Sequence, residues 1–124
     1  MAESSLVSLL YLEGTEAFNL WRKQHPEQWV DLEGACLAKM NLEGVNFQGA
    51  FLRKANLSGA NLRGANLFGA DLTNAVPRSA DLTGATLSFA QLKGANLWNA
   101  KGIPDDIRAS YIEALDASLA LSVP

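Results

Sequence analysis

Large apolar residues fall at every fifth position over more than half of the chain. The series runs Leu32, Leu37, Leu42, Phe47, Leu52, Leu57, Leu62, Leu67 and Leu72, breaks at Pro77, and resumes at Leu82, Leu87, Leu92 and Leu97. Counting Pro77, there are fourteen centres without an insertion. Two residues before each centre stands a small or apolar residue: Val30, Ala35, Met40, Val45, then alanine at every step from Ala50 to Ala95. Directly before the centre, Asn or Asp occurs nine times: Asp31, Asn41, Asn46, Asn56, Asn61, Asn66, Asp71, Asp81 and Asn96. Two residues after it, glycine occurs eight times: Gly34, Gly44, Gly49, Gly59, Gly64, Gly69, Gly84 and Gly94.

Neither regular element holds this period. Five residues of α-helix rotate roughly 140° beyond a full turn, which scatters the leucines around the axis. In a flat strand an odd period sends successive leucines to opposite faces. The conflict disappears if the chain turns a corner once per repeat. Glycine at a fixed place then supplies the positive φ that a type II turn requires. The small residue and the leucine, two apart, both face inward, and the chain coils around its own core.

The run A-N-L-S-G-A-N-L-R-G-A-N-L-F-G-A-D-L at residues 55–72 resembles the pentapeptide-repeat family, A-[DN]-L-x-x, and the resemblance extends over residues 30–100. It implies an all-β solenoid, a right-handed quadrilateral β-helix with four repeats per coil of 20 residues and about 3.5 coils. Residues 20 apart should then stack in four inner ladders. These are Leu32/Leu52/Leu72/Leu92, Leu37/Leu57/Pro77/Leu97, Leu42/Leu62/Leu82 and Phe47/Leu67/Leu87. Strand spacing makes such a column only ~17 Å tall. Pro77 removes one ladder donor, and the intact spacing around it predicts a local distortion in an unbroken coil.

An open β-helix leaves an apolar cross-section and unpaired edges at each end, so caps are expected. Residues 4–24 read as helical, with Leu6, Leu9, Leu10, Glu13, Ala17, Leu20 and Trp21 at spacings of three and four. Gly14 is a break point, and Pro26 ends the element. A second helix should start at Pro104-Asp105-Asp106, where acidic residues suit the positive helix end. Ile107, Tyr111, Leu115 and Leu119 would line its apolar face. The organisation expected is therefore an N-terminal helical cap over 1–29, a repeat body over 30–100, and a C-terminal helical cap and tail over 101–124. The stretch F-N-L-W-R-K-Q-H-P-E at 18–27 is similar to leaders that precede the repeats in such proteins.

Composition narrows the function classes. The net charge of −3 comes from the ends. Residues 30–100 hold six basic and five acidic side chains, while each flank holds two basic and four acidic ones. There is neither a basic stripe for nucleic acid nor an acidic stripe imitating it. No long apolar run suggests a membrane span. Residues 5–12 are apolar but lack a basic region and a cleavage site, which speaks against a signal peptide. A single cysteine excludes an internal disulfide framework, and a cytoplasmic location is expected.

No cofactor, metal or catalytic site is expected. His25 beside Pro26 reads as a solvated cap residue, and the Asn/Asp column as turn chemistry rather than metal ligands. Cys36 stands where Asn is usual, pointing outward. Stacking places Glu33 beneath Arg53 and Glu43 beneath Arg63, which predicts two surface ion pairs. The outward aromatics are the candidate binding residues. Phe68 and Phe89 fall on one side in adjacent coils, and Trp98 lies one layer from Arg78, within reach of a cation–π contact. Phe51 also points outward.

The reading is a non-catalytic protein-interaction or scaffolding module. Its protein partner is not named by the sequence, and a homodimer through the C-terminal helix or the capped ends fits the same pattern. The alternative is a DNA mimic that modulates an enzyme such as gyrase, as some proteins of this family do. A near-neutral solenoid and a short column disfavour it, and nucleic acid is not expected as a partner.

Overall fold

The computed structural model describes residues 3–109. Tyr111, Leu115 and Leu119, which the sequence places on a C-terminal helix, lie outside the described residues.

The repeat body is built by parallel pairing of residues 20 apart. Bridges link Asp31 to Phe51 and Phe51 to Asp71 on one side, Cys36 to Asn56 on the next, Asn41 to Asn61 on the third and Asn46 to Asn66 on the fourth. From Asp31 to Gln91 each side of each coil contributes a single bridged residue, so the sheet on every side is a ladder of one-residue rungs. The backbone supplies the rungs in alternating directions. Leu32 N–H donates to Phe51 O, and Phe51 N–H donates back to Val30 O, both at 2.8 Å. The inter-coil bonds between residues 30 and 101 all span 2.7–3.0 Å. The ladder continues through Asp81–Lys101.

Every corner is closed in the same way. The residue three past each centre donates its N–H to the centre's carbonyl, from Ala35 to Leu32 through Ala100 to Leu97. The third turn residue has positive φ at all fourteen corners. Eight are glycine, and the others are Lys39, Lys54, Asn74, Ser79, Phe89 and Asn99, at φ 59–61°. The Asn/Asp column completes the turn. Each of the nine accepts the N–H two residues on through its side-chain oxygen, as Asn61 does from Arg63 at 3.1 Å. These are Asx turns that pin the corner from outside.

Inside, the centres and the small residues before them form one apolar core. No buried polar or charged side chain occurs among the described residues. Burying each leucine contributes roughly 1.5–3 kcal/mol before entropy. Pro77 is buried in its ladder. It cannot donate to Asn96 O, yet Asn96 N–H still reaches Ala75 O at 3.0 Å and Ser79 N–H reaches Trp98 O at 2.9 Å. Ala75 and Ala80 stay fully buried. One missing donor costs a bridge, not a coil.

The first coil ends in a row of carbonyls with no coil beneath them. Helix α1 (Glu3–Gln24) lies across that edge. Gly14, at φ 90° and ψ −176°, breaks it into two segments. Polar side chains of α1 take the place of the missing coil. The Tyr11 hydroxyl donates to Cys36 O, the Thr15 hydroxyl to Asn41 O and the Asn19 amide to Gly44 O. The Asn19 side-chain oxygen accepts Asn46 N–H at 2.8 Å. Arg22 donates to both Asn46 O and Gln48 O at 2.9 Å. Burial lowers the pKa of that guanidinium, but arginine stays charged at any physiological pH.

Apolar side chains of α1 close the core beneath these bonds. Leu6, Leu10 and Phe18 are buried, and Phe18 meets Phe47 edge-on at 5.5 Å. The helical face differs from the one read from the sequence. Leu20 is 55% exposed and Phe18, not Leu20, is the core residue of the second segment. The break at Gly14 resets the rotation, so a continuous 3.6-residue period cannot be carried across it. His25 is exposed, stacked on Trp21 and bonded through Nδ1 to Trp21 O. At the other end a short helix, α2, begins at 105–109, with Ile107 packed against the core.

Two substitutions test this account. Phe18→Ala should lower stability by about 3–5 kcal/mol, as loss of a buried ring does. Pro77→Leu restores a ladder donor at a buried site and should raise stability by about 0.5–1.5 kcal/mol. Urea unfolding followed by circular dichroism measures both.

Candidate functional site

A rigid column turns sequence position into surface position, so outward residues form vertical columns. The exposed aromatic rings of the repeats cluster at two corners.

The corner between the fourth and first sides carries residues 29, 49, 69 and 89 in one column and 28, 48, 68 and 88 in the next. Phe68 and Phe89 meet here edge-on, with ring centroids 5.4 Å apart. Phe68 is 40% exposed and Phe89 83%. Phe89 stands at φ 61°, where the two coils below carry Gly49 and Gly69. A bulky side chain in left-handed backbone is costly, and this one recovers little by burial. Lower on the same edge, Trp29 packs against Phe51 at 5.5 Å and is itself 75% exposed. The sequence singles out Phe51 but not Trp29, because Trp29 precedes the first repeat. Its signal is the 20-residue register, which puts it in the column of Phe89. Together the four rings make an interrupted ridge up one edge. Its neighbours on the fourth side, Asn46, Asn66 and Thr86, are uncharged.

The corner between the second and third sides carries the other pair. The Arg78 guanidinium lies 4.5 Å from the centre of the Trp98 ring, and Trp98 is 61% exposed. The structure therefore brings Phe68 to Phe89 and Arg78 to Trp98, but holds the two pairs at opposite corners. They form two surfaces, not one.

The ion pairs differ from the stacking expectation. Neither Glu33–Arg53 nor Glu43–Arg63 forms within 4.0 Å, and Arg63 instead reaches Asp81 at 3.3 Å. The offset is 18 residues, not 20. Ser58 to Val76 O and Asn66 to Gln48 share that offset. Corner side chains thus lean back over the preceding side of the next coil, so the partner is the residue two before the one directly above.

No set of three or more His, Cys, Asp and Glu among the described residues could hold a metal ion. No described helix is long and apolar enough to cross a membrane. Cys36 is exposed and free. The Asp/Asn column is committed to its turns.

The comparisons agree with this architecture. The profile of the Pentapeptide repeats family matches residues 28–64 and 60–99, with eight copies. The chain belongs to the pentapeptide-repeat family, whose members fold as right-handed quadrilateral β-helices and generally serve as structural or interaction modules. Among solved structures it is similar to the pentapeptide repeat protein Rfr23 from the cyanobacterium Cyanothece 51142. That match has 43% identity and a TM-score of 0.58, and covers 61% of this chain and 52% of the other. A pentapeptide repeat protein of the Arabidopsis thaliana thylakoid lumen matches at 30% identity and a TM-score of 0.43, over 73% of this chain and 79% of its own. Another from Nostoc PCC 7120 matches at 41% identity and a TM-score of 0.37, over 63% and 69%. The chain thus spans about half the length of Rfr23. Among curated proteins none matches it.

Phe89→Gly should leave stability unchanged or raise it by about 1–2 kcal/mol, because left-handed strain is relieved; urea midpoints decide. Asp81 supplies a second test. Hydrogen bonds from the Thr83 hydroxyl and N–H, then the Arg63 guanidinium, hold its carboxyl below the usual range. Such a group stabilises the fold above its unfolded-state pKa, and the contribution is lost as pH falls through the lower folded value. The stability difference between wild type and Asp81→Asn should therefore be present at neutral pH and vanish in acid, as urea midpoints from about pH 2 to pH 7 would record.

Proposed function

We propose that this protein is a non-catalytic interaction or scaffolding module. In this reading about three and a half coils, closed by a helical cap at each end, hold aromatic contact residues in fixed register. The observation that carries it is Phe89. An exposed aromatic in left-handed backbone, beside a second exposed ring, is poorly accounted for by folding alone. Phe68 and Phe89 are the contact residues of the aromatic ridge, and Arg78 and Trp98 those of the opposite corner. The partner is a protein.

A self-associating form is a variant of the same reading, and light scattering separates the two: a monomer has a mass of 13.3 kDa. Imitation of duplex DNA fits less well, because the repeat body carries slightly more basic than acidic residues. A free, exposed Cys36 suits a reducing, cytoplasmic setting.

The test is affinity capture from native lysate with wild type and a Phe68→Ser, Phe89→Ser double variant of matched circular dichroism. A protein retained by wild type and lost by the variant is the expected result. Equal capture by both would remove the ridge from the interface, and no capture with a dimeric mass would replace the foreign partner with a second copy.

A further inference from the structure

The corner between the second and third sides has features that the aromatic ridge lacks. A shallow hollow of about 410 Å³ opens there between coils. Ser58 and Gly59 lie at its middle level, with Lys39 below and Arg78, Ser79 and Trp98 above. Three of the four left-handed residues in this column are not glycine: Lys39 and Ser79 at φ 61° and Asn99 at φ 60°. By contrast, the next corner has Gly44, Gly64 and Gly84 at the same places. Lys39 and Ser79 thus line the hollow from left-handed backbone that their residue types disfavour.

Their chemistry is of one sign. No carboxylate lines the hollow. Among the described residues neither Lys39 nor Arg78 pairs with an acid, and Asp81, the acidic residue nearest to Arg78 along the chain, is bound by Thr83 and Arg63. The Lys39 side chain runs past Gly59, where an added Cβ would stand 3.4 Å from its Cγ. Arg78 is steadied over Trp98, and a guanidinium stacked on an aromatic face keeps its N–H fork for an anion. The Ser79 oxygen accepts the Asn99 amide at 3.3 Å, which leaves its own O–H to donate.

From this we propose that the Lys39–Arg78–Trp98 corner docks an acidic peptide segment of a partner protein. The inference rests on the reading of the column as an interaction module. Two arguments select a peptide. Lys39 and Arg78 spring from coils two strand spacings apart, about 10 Å. One phosphate does not span that distance, whereas carboxylates at alternate positions of an extended peptide stand about 7 Å apart and close the rest with their side chains. Nor do two cations on an acidic chain make a polyanion track, since nucleic acid is held by many neutralised phosphates. The exposed indole of Trp98, one coil above Arg78, accepts an apolar side chain beside the carboxylate that Arg78 holds.

The test is an NMR titration of the full ¹⁵N-labelled chain with the peptide Ac-Glu-Ser-Glu-Leu-Glu-Ser-Glu-NH2, beside its glutamine counterpart. The Trp98 indole N–H and the Ser79 amide should shift saturably with the glutamate peptide. Affinity should fall at least about tenfold for Lys39→Gln or Arg78→Gln, each of which removes one charge-assisted contact, and further for the glutamine peptide, which removes both. Arg78→Lys should retain part of the binding, and Arg63→Gln all of it. Equal shifts with both peptides, or none at millimolar concentration, would overturn the proposal. So would tighter binding of inorganic phosphate or of a single-stranded oligonucleotide at the same signals. Because the probe is defined, failure here condemns this corner alone, whereas failure of lysate capture bears on the interaction reading as a whole.

Discussion

A chain that must turn every five residues needs, at each turn, one residue whose backbone tolerates positive φ. That requirement sits at all fourteen corners, and the other features follow from it. The turn brings the small residue and the leucine to the same inward face. It also returns the backbone to the same place after four corners, so that each coil offers its N–H and C=O groups to the next. Glycine meets the requirement without strain. Where Lys39, Lys54, Asn74, Ser79, Phe89 or Asn99 meets it instead, the core gains nothing, and the change is visible only on the surface. Departures from glycine are therefore a guide to surface use in this fold.

The same constraint explains the division of labour between side chains. Interior positions are fully apolar, so the body has no buried polar network to satisfy. Polar satisfaction is handled at the perimeter, by Asx turns at nine corners, and at the lower edge by Tyr11, Thr15, Asn19 and Arg22 of α1. Beyond the break at Gly14, Thr15, Asn19 and Arg22 stand four and three residues apart on one helical segment and rise about 6 Å and about 4.5 Å along it, enough to follow an edge whose carbonyls lie along successive sides.

Much of the fold was legible in the sequence because a strict period leaves little freedom. The ladders, the glycine corners of positive φ, the place of Pro77 in an inner ladder and the pairing of Arg78 with Trp98 all follow from counting in fives and twenties, which also puts Phe68 and Phe89 on one side in adjacent coils. What escaped depended on side-chain direction or on broken periodicity. Glu43 lies directly below Arg63, but the arginine leans back to Asp81. Phe18 replaces Leu20 in the core because Gly14 interrupts the helix. Trp29 joins the ridge from outside the repeats. Each miss marks a place where position along the chain does not determine which way a side chain points.

The joint between α1 and the column has a consequence for how such a protein changes over evolutionary time. The helix is bonded to carbonyls of Cys36, Asn41, Gly44, Asn46 and Gln48, all within the first coil. A duplicated segment of one full coil, entering above that level, would leave every one of these bonds in place and extend all four ladders together. A duplication that is not a whole number of coils would rotate the sides above it and separate residues that now share an edge. Length can thus grow in whole coils without disturbing the sealed end, while the surface columns simply gain another storey to diversify.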